Sequence, residues 1–152
     1  IMKVIIREAK KKDADSILKL IKELALFERE AGEVILTKER IERDGFGRKK
    51  LFNCFVAEFN SEVVGMALFY PRYSTWKGPT LHLEDLIVTE SMKGRGIGTK
   101  LYDTFISFAI SKGVKRVEWV VLDWNKSAIK FYKKSGAKVL EGWKTVQLKI
   151  NK

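Results

Sequence analysis

Apolar and polar positions recur along this chain with two periods, and the switches between them mark its elements. "KVIIREA" (3–9) is a β-branched run with strand character. From Asp13 to Glu28 the period lengthens, so that Ile17, Leu20, Ile21 and Leu24 share one helical face, with Asp13 as the expected cap. "TKERIERDGF" (37–46) predicts a shorter helix that stops near Gly45. "LFNCFVAEF" and "EVVGMALFYPRY" flank Asn60-Ser61 and predict a hairpin. Past Gly78-Pro79, "LHLEDLIV" (81–88) reads as a strand. Alternation along it puts His82, Glu84, Leu86 and Val88 on one face, and Leu83, Asp85 and Ile87 on the other. Ile97, Leu101, Phe105, Phe108 and Ala109 then give a helix that ends at Gly113. "KRVEWVVLDW" (115–124) predicts a strand, and "NKSAIKFYKKSG" (125–136) a helix capped by Asn125 and closed by Gly136. "TVQLKI" (145–150) predicts a last strand. Strands and helices alternate in the second half, the pattern of an α/β fold on a sheet of mixed direction.

At 152 residues the chain has the size of one domain, taken as 2–152, with 45% hydrophobic and 32% charged residues. No apolar stretch approaches the length of a membrane span, and the first residues lack the apolar core of a signal peptide, so a cytoplasmic protein with no membrane partner is expected. The single cysteine, Cys54, sits among strand formers and reads as a small buried hydrophobe in a reducing compartment. With one Cys and one His (His82), no protein-ligated metal is expected. The net charge of +11 raises a basic nucleic-acid-binding module as a class. The lysines, however, are spread over surface-type positions, and no aromatic-and-basic RNA surface motif is present; this class ranks last, and no nucleic-acid partner is expected.

The chemistry concentrates in "SMKGRGIGTKL" (91–101), where a strand runs into a glycine turn and then a helix. Such a turn presents backbone N–H groups at a helix N-terminus, and the missing side chains let a phosphate approach. Lys93, Arg95 and Lys100 add positive charge. The spacing is neither the six-residue dinucleotide fingerprint nor the Walker loop, and taken alone it fits tight strand–helix packing as well as a pyrophosphate site.

"LEDLIVTESMKGRGIGTKL" resembles the acetyl-CoA-binding segment of the GNAT acetyltransferase superfamily, whose pattern is Gln/Arg-x-x-Gly-x-Gly/Ala. Lys93, Gly96 and Gly98 take those positions, and Lys93 departs from the pattern by keeping the charge without the planar donor fork. The resemblance is closer to the diamine (spermidine/spermine and thialysine) acetyltransferases. "LIKELALFE", "EVILT", "DGFG", "LEDLIV", "GIG", "WN", "FYKKSGA" and "EGW" follow in their order almost end to end.

The resemblance implies a mixed, mainly antiparallel sheet of six to seven strands flanked by about four helices. It implies direct acetyl transfer from acetyl-CoA to a primary amine of a small cationic acceptor such as a polyamine, a diamine or a lysine-like molecule. Transfer to a protein N-terminus or lysine is the alternative. Glu84 would act as base at the amine, and Tyr132 would donate a proton to the leaving thiolate; a phenol near pKa 10 is close to matched to a thiol. The backbone of Leu86, Ile87 and Val88 would pair with the pantetheine arm, with a β-bulge opening the sheet there. Lys93, Gly94, Arg95, Gly96, Ile97, Gly98 and Thr99 would take the pyrophosphate, with Asn125, Lys126, Ser127 and Ala128 as further cofactor contacts. The acceptor would lie among Phe27, Glu28, Glu84, Glu118, Trp119, Val120 and Glu141, Phe27 standing where relatives carry tyrosine. A homodimer is implied as well, and the alternation of Val146, Leu148 and Ile150 suits a strand paired either between subunits or within one.

Overall fold

The computed structural model describes residues 3–151; the ends of the expected domain, 2 and 152, lie outside them. The described residues separate into two compact units that divide between Val120 and Val121.

In the first unit, β1 (Val4–Glu8), β2 (Asn53–Phe59), β3 (Glu62–Ser74), β4 (Gly78–Val88) and β5 (Val117–Glu118) form one sheet in chain order. The first four strands pair antiparallel, and β5 joins β4 in parallel. Helices α1 (Ala14–Phe27) and α2 (Lys38–Phe46) precede β2, and α3 (Ile97–Ser111) follows β4. The mixed, mainly antiparallel sheet is as expected, with five strands rather than six or seven. The expected strand at 115–124 keeps only two paired residues, and 145–150 forms no strand.

Each face of the sheet carries its own core. On one, Ile97, Leu101 and Phe105 of α3 pack on Ala67, Phe69, Leu81, Leu83 and Val88. Phe69 is central there, with ring centroids 4.9 Å from Phe105 and 5.1 Å from Phe108. On the other, Ile17 and Leu20 of α1 and Ile41 of α2 cover Cys54, Val56, Met66, Leu68 and Ile87. Cys54 is buried as expected, and burial pushes its thiol pKa well up, so it packs as a hydrophobe.

Local chemistry explains most of the element ends. Asn60 and Ser61 both take positive φ (51° and 65°), the left-handed pair that a two-residue hairpin turn requires. Thr37 caps α2, its hydroxyl accepting from the Arg40 amide at 3.1 Å. Asp13 does not cap α1 with its side chain. Its carboxylate accepts two bonds from the Arg7 guanidinium (2.8 and 3.0 Å) and one from the Lys10 amide (2.7 Å), because a buried carboxylate gains more from a bidentate cation than from a helix end. Arg7 also reaches Glu58 on β2 at 3.0 Å, which ties the start of α1 to the sheet.

In the second unit the Asn125 side chain caps α4 (Lys126–Lys134), accepting from the Ala128 amide at 3.2 Å. Gly136, at φ 99°, follows its end. Val146, Leu148 and Ile150 are 92%, 85% and 83% exposed in this chain.

Candidate active site

One extra residue in β4 builds the site. Leu83 pairs with Phe69, and Asp85 with the preceding Leu68, so Glu84 has no partner in the ladder and forms a β-bulge. The bulge changes the phase of the strand. Leu81, Leu83, Leu86 and Val88 all pack on the α3 side, whereas Ile87 faces α1 and α2. The alternation expected from sequence therefore fails at Glu84: His82 and Leu86 lie on opposite faces. Glu84 and Asp85, neighbours that an unbroken strand would separate, line the same cavity.

That cavity has a volume of about 400 Å³. Its walls are apolar (Ile21, Leu24, Leu36, Phe52 and Leu68 among them), and Glu28, Asp44, Glu84, Asp85 and Tyr70 bring the polar groups, Asp44 already paired with the Arg40 guanidinium at 2.7 Å. The Tyr70 hydroxyl donates to Glu84 Oε1 at 2.8 Å. Burial, followed by that bond, pushes the Tyr70 phenol up to about 12, so it stays a donor at neutral pH. Burial raises the Glu28 carboxyl above its ordinary value, with repulsion from Glu84 and Glu30 adding to it. Asp85 is raised to about 7 by burial, then by the charges of Glu84 and Glu28. Packing carboxylates on an apolar wall is unfavourable unless a cation joins them. Tyr70 as a cavity residue was missed from sequence; Glu84's having no ladder partner is what brings Asp85 there, and residue types alone do not signal a bulge.

Of the remaining expected acceptor residues, Phe27, Glu118, Trp119 and Val120 do not line this cavity. Glu118 pairs with Arg72 (3.1 Å) and Arg116 (3.6 Å). Trp119 meets the Tyr102 ring edge-on at 5.7 Å, and Val120 is exposed. Phe27 lies under the Lys93 ammonium, 5.2 Å from its ring centroid. In the second unit, Glu141 is exposed beyond α4.

The glycine turn follows β4. Gly94 and Gly96 take φ of 77° and 79°, and a Cβ built on either would meet nothing within 4 Å, so their surroundings are open. Gly96 is also the N-cap of α3, so Ile97, Gly98 and Thr99 form the helix's first turn, whose amides lack intrahelical acceptors. Lys93 is turned back, its ammonium 3.0 Å from Glu90. Glu23 of α1 holds the turn from beneath, accepting from the Thr89 hydroxyl (2.8 Å) and the Glu90 amide (3.0 Å), a contact no sequence motif announced. Next to the turn, the ladder of β4 with β5 covers only Leu81 and His82, so Leu86, Ile87 and Val88 lie beyond its end.

In the second unit, Asn125, Lys126, Ser127 and Ala128 form the start of α4, and Tyr132 lies in its second half. The Tyr132 ring meets Phe131 edge-on, with centroids 5.5 Å apart. Among the described residues no group of three or more His, Cys, Asp or Glu is placed to hold a metal ion. Among the same residues no helix is long and apolar enough to cross a membrane.

A sheet whose β4–β5 ladder stops short, beside an N-terminal helix turn and a carboxylate-lined cavity, suits the transfer of a group between an anionic carrier and a cationic acceptor. The chain belongs to the acetyltransferase (GNAT) family, whose model matches residues 3–137. Thialysine N-epsilon-acetyltransferase from Bos taurus is 42% identical over 151 residues, spanning 92% of this chain and 89% of that protein. Spermidine/spermine N(1)-acetyltransferase-like protein 1 from Homo sapiens is 38% identical over 148 residues, which cover 91% of this chain but 21% of that longer protein. Among solved structures, aminoglycoside N-acetyltransferase AAC(6')-Iy in complex with CoA superposes with a TM-score of 0.78 at 18% identity, covering 99% of this chain and 97% of that one, which shows the shared fold. The chain is an N-acetyltransferase.

Proposed function

We propose that this chain, acting as one domain, transfers an acetyl group from acetyl-CoA directly to a primary amine of a small cationic acceptor: a polyamine, a diamine or a lysine-like molecule. One observation carries the choice of acceptor. An apolar cavity holds Glu28, Glu84 and Asp85 together, two of them with raised pKa values, and an aliphatic ammonium would relieve their repulsion while its methylenes lie on the apolar wall. The names of the relatives above agree with it.

Bound acetyl-CoA supplies an acetyl thioester. Glu84 takes the proton that the acceptor's ammonium must lose before its nitrogen can attack the carbonyl carbon. As the C–S bond breaks, Tyr132 donates a proton to the thiolate, and the second proton that the nitrogen sheds in becoming an amide restores the phenol. The amides of Gly94 to Thr99 receive the pyrophosphate, with Lys93 acting through its backbone because its ammonium is held by Glu90. Leu86, Ile87 and Val88, past the end of the β5 ladder, offer an edge to the pantetheine arm, and Asn125 to Ala128 make the further cofactor contacts. Phe27, Glu118, Trp119, Val120 and Glu141 complete the acceptor's surroundings. We place the enzyme in the cytoplasm as a homodimer.

The test is CoA release from acetyl-CoA against thialysine, lysine, putrescine, spermidine, spermine and a lysine peptide. Turnover with a small amine, lost by ~10²-fold or more in Glu84→Gln, is the expected result. Turnover with the peptide alone would replace this reading with a protein acceptor.

A further inference from the structure

Glu84 is approached from two sides. Besides the Tyr70 hydroxyl, His82 Nε2 lies 3.7 Å from the same oxygen, Oε1. At its other nitrogen the imidazole meets Arg72, whose Nη1 is 2.9 Å from Nδ1. A guanidinium has donors and no acceptor, so the hydrogen in that contact belongs to arginine and Nδ1 presents its lone pair. The imidazole's one remaining proton is then on Nε2, the nitrogen facing Glu84. Arg72 is itself anchored, 3.1 Å from Glu118 on β5. The Tyr70 and His82 rings lie against each other with centroids 5.3 Å apart, and His82 is buried. Three strands thus fix two donors around one oxygen of a residue whose own backbone has left the ladder.

We propose that Arg72 locks His82 as its Nε2–H tautomer and that His82, with Tyr70, holds Glu84 Oε1 and so presents Oε2 to the acceptor's ammonium. His82 is a positioning residue in this scheme, and the assignment rests on Glu84 being the base. At 3.7 Å the N–H orients the carboxylate through space, and a sub-ångström approach when the acceptor binds completes the hydrogen bond. The groups facing His82 are Tyr70 and Arg72 from β3, Glu84 on its own strand, and Glu118 from β5, which is paired with Arg116 just before that strand. Burial, then Arg72, hold its pKa below the ordinary histidine value, against the opposing pull of Glu84 and Glu118. The ring is therefore neutral at pH 7, as the tautomer requires.

His82 is the chain's one histidine, so tag-free protein labelled with ¹⁵N at histidine reports this ring alone. The expected spectrum at pH 7 is the Nε2–H tautomer. In Arg72→Met the tautomers mix and the titration midpoint rises. An Nδ1–H tautomer or an imidazolium at pH 7 in the wild type overturns the proposal. Kinetically, His82→Phe should lose about tenfold in kcat, the equivalent of one N–H donor to a charged oxygen, with KM for acetyl-CoA unchanged. His82→Gln, which keeps an N–H near the Nε2 position, should recover most of that loss. Should His82→Phe fail to fold, the wild-type spectrum and His82→Gln still decide. Wild-type turnover in both His82 variants alongside a dead Glu84→Gln refutes the positioning role and leaves the base in place. Full turnover in Glu84→Gln removes the base assignment and the positioning proposal with it.

Discussion

Asp85 should make this protein less stable as the pH rises from acid to neutral. Its carboxyl is raised from the ordinary value of 3.8 to about 7, chiefly by burial and then by the charges of Glu84 and Glu28. Below pH 4 both folded and unfolded chains carry the proton, and Asp85 contributes no pH dependence. Between about 4 and 7 the unfolded chain gives up its proton while the folded chain keeps it, so stability falls with every unit. Above 7 both are ionised and the loss is complete. At 1.36 kcal/mol per pH unit the total is ~4 kcal/mol, a large fraction of a typical domain's stability. Asp85→Asn keeps the shape and removes the titration. Urea unfolding of both proteins at pH 4, 5.5, 7 and 8.5 isolates the contribution, because every other ionisable group is common to the two. The variant should gain ~4 kcal/mol on the wild type across that range, most of it before pH 7. Parallel stability curves would mean that Asp85 ionises in the folded protein as it does in water, and that the cavity does not disfavour its charge.

Asp13→Asn should cost ~2 kcal/mol at pH 7 by leaving the Arg7 guanidinium without its bidentate partner. The Arg7 contact holds Asp13 below the ordinary carboxylate range, so its stabilisation is present above that range and lost as the pH falls through the lowered value; the gap between wild type and variant should close in strong acid. Gly96→Ala adds a Cβ that meets no neighbour but sits at φ 79°, so urea unfolding should register ~1–2 kcal/mol of backbone strain, accompanied by a raised KM for acetyl-CoA. Tyr132→Phe should lower kcat with little change in the urea midpoint; equal losses of both would assign the ring to packing instead.

The hairpin, the helices and the two buried faces were legible because each rests on a local signal. Asn60-Ser61 can take paired positive φ, Thr37 can cap, and Ile17, Leu20, Ile21 and Leu24 recur at helical spacing. Where tertiary contacts compete with a local signal, the sequence misled. Asp13 has the chemistry of a cap, but Arg7, six residues earlier on β1, takes its carboxylate. Val146, Leu148 and Ile150 alternate as a strand would; alternation records that a segment suits a sheet without naming the chain it pairs with, and within the described residues of this one it forms no strand. Glu84 was identifiable only through the family motif, since on residue type alone it is one more acidic residue on a strand.

The bulge explains why charge totals misjudge the site. A chain with a net charge of +11 is on balance unfavourable to a cation, and long-range attraction cannot recruit one. What counts is the charge within a few ångströms, where screening by water is weakest. By shifting the phase of β4 at one residue, the fold sets Asp85 beside Glu84 and opposite Glu28, on an apolar wall whose fourth carboxyl, Asp44, is paired with Arg40. Burial on that wall, and then their mutual repulsion, disfavours ionisation, which is why Asp85 and Glu28 are both raised. An ammonium among them would reverse that preference, and relief of the penalty on their charges would become part of the affinity for a cation. Without the bulge, Asp85 and Glu84 would point to opposite faces of the sheet, and the same composition would carry no such site.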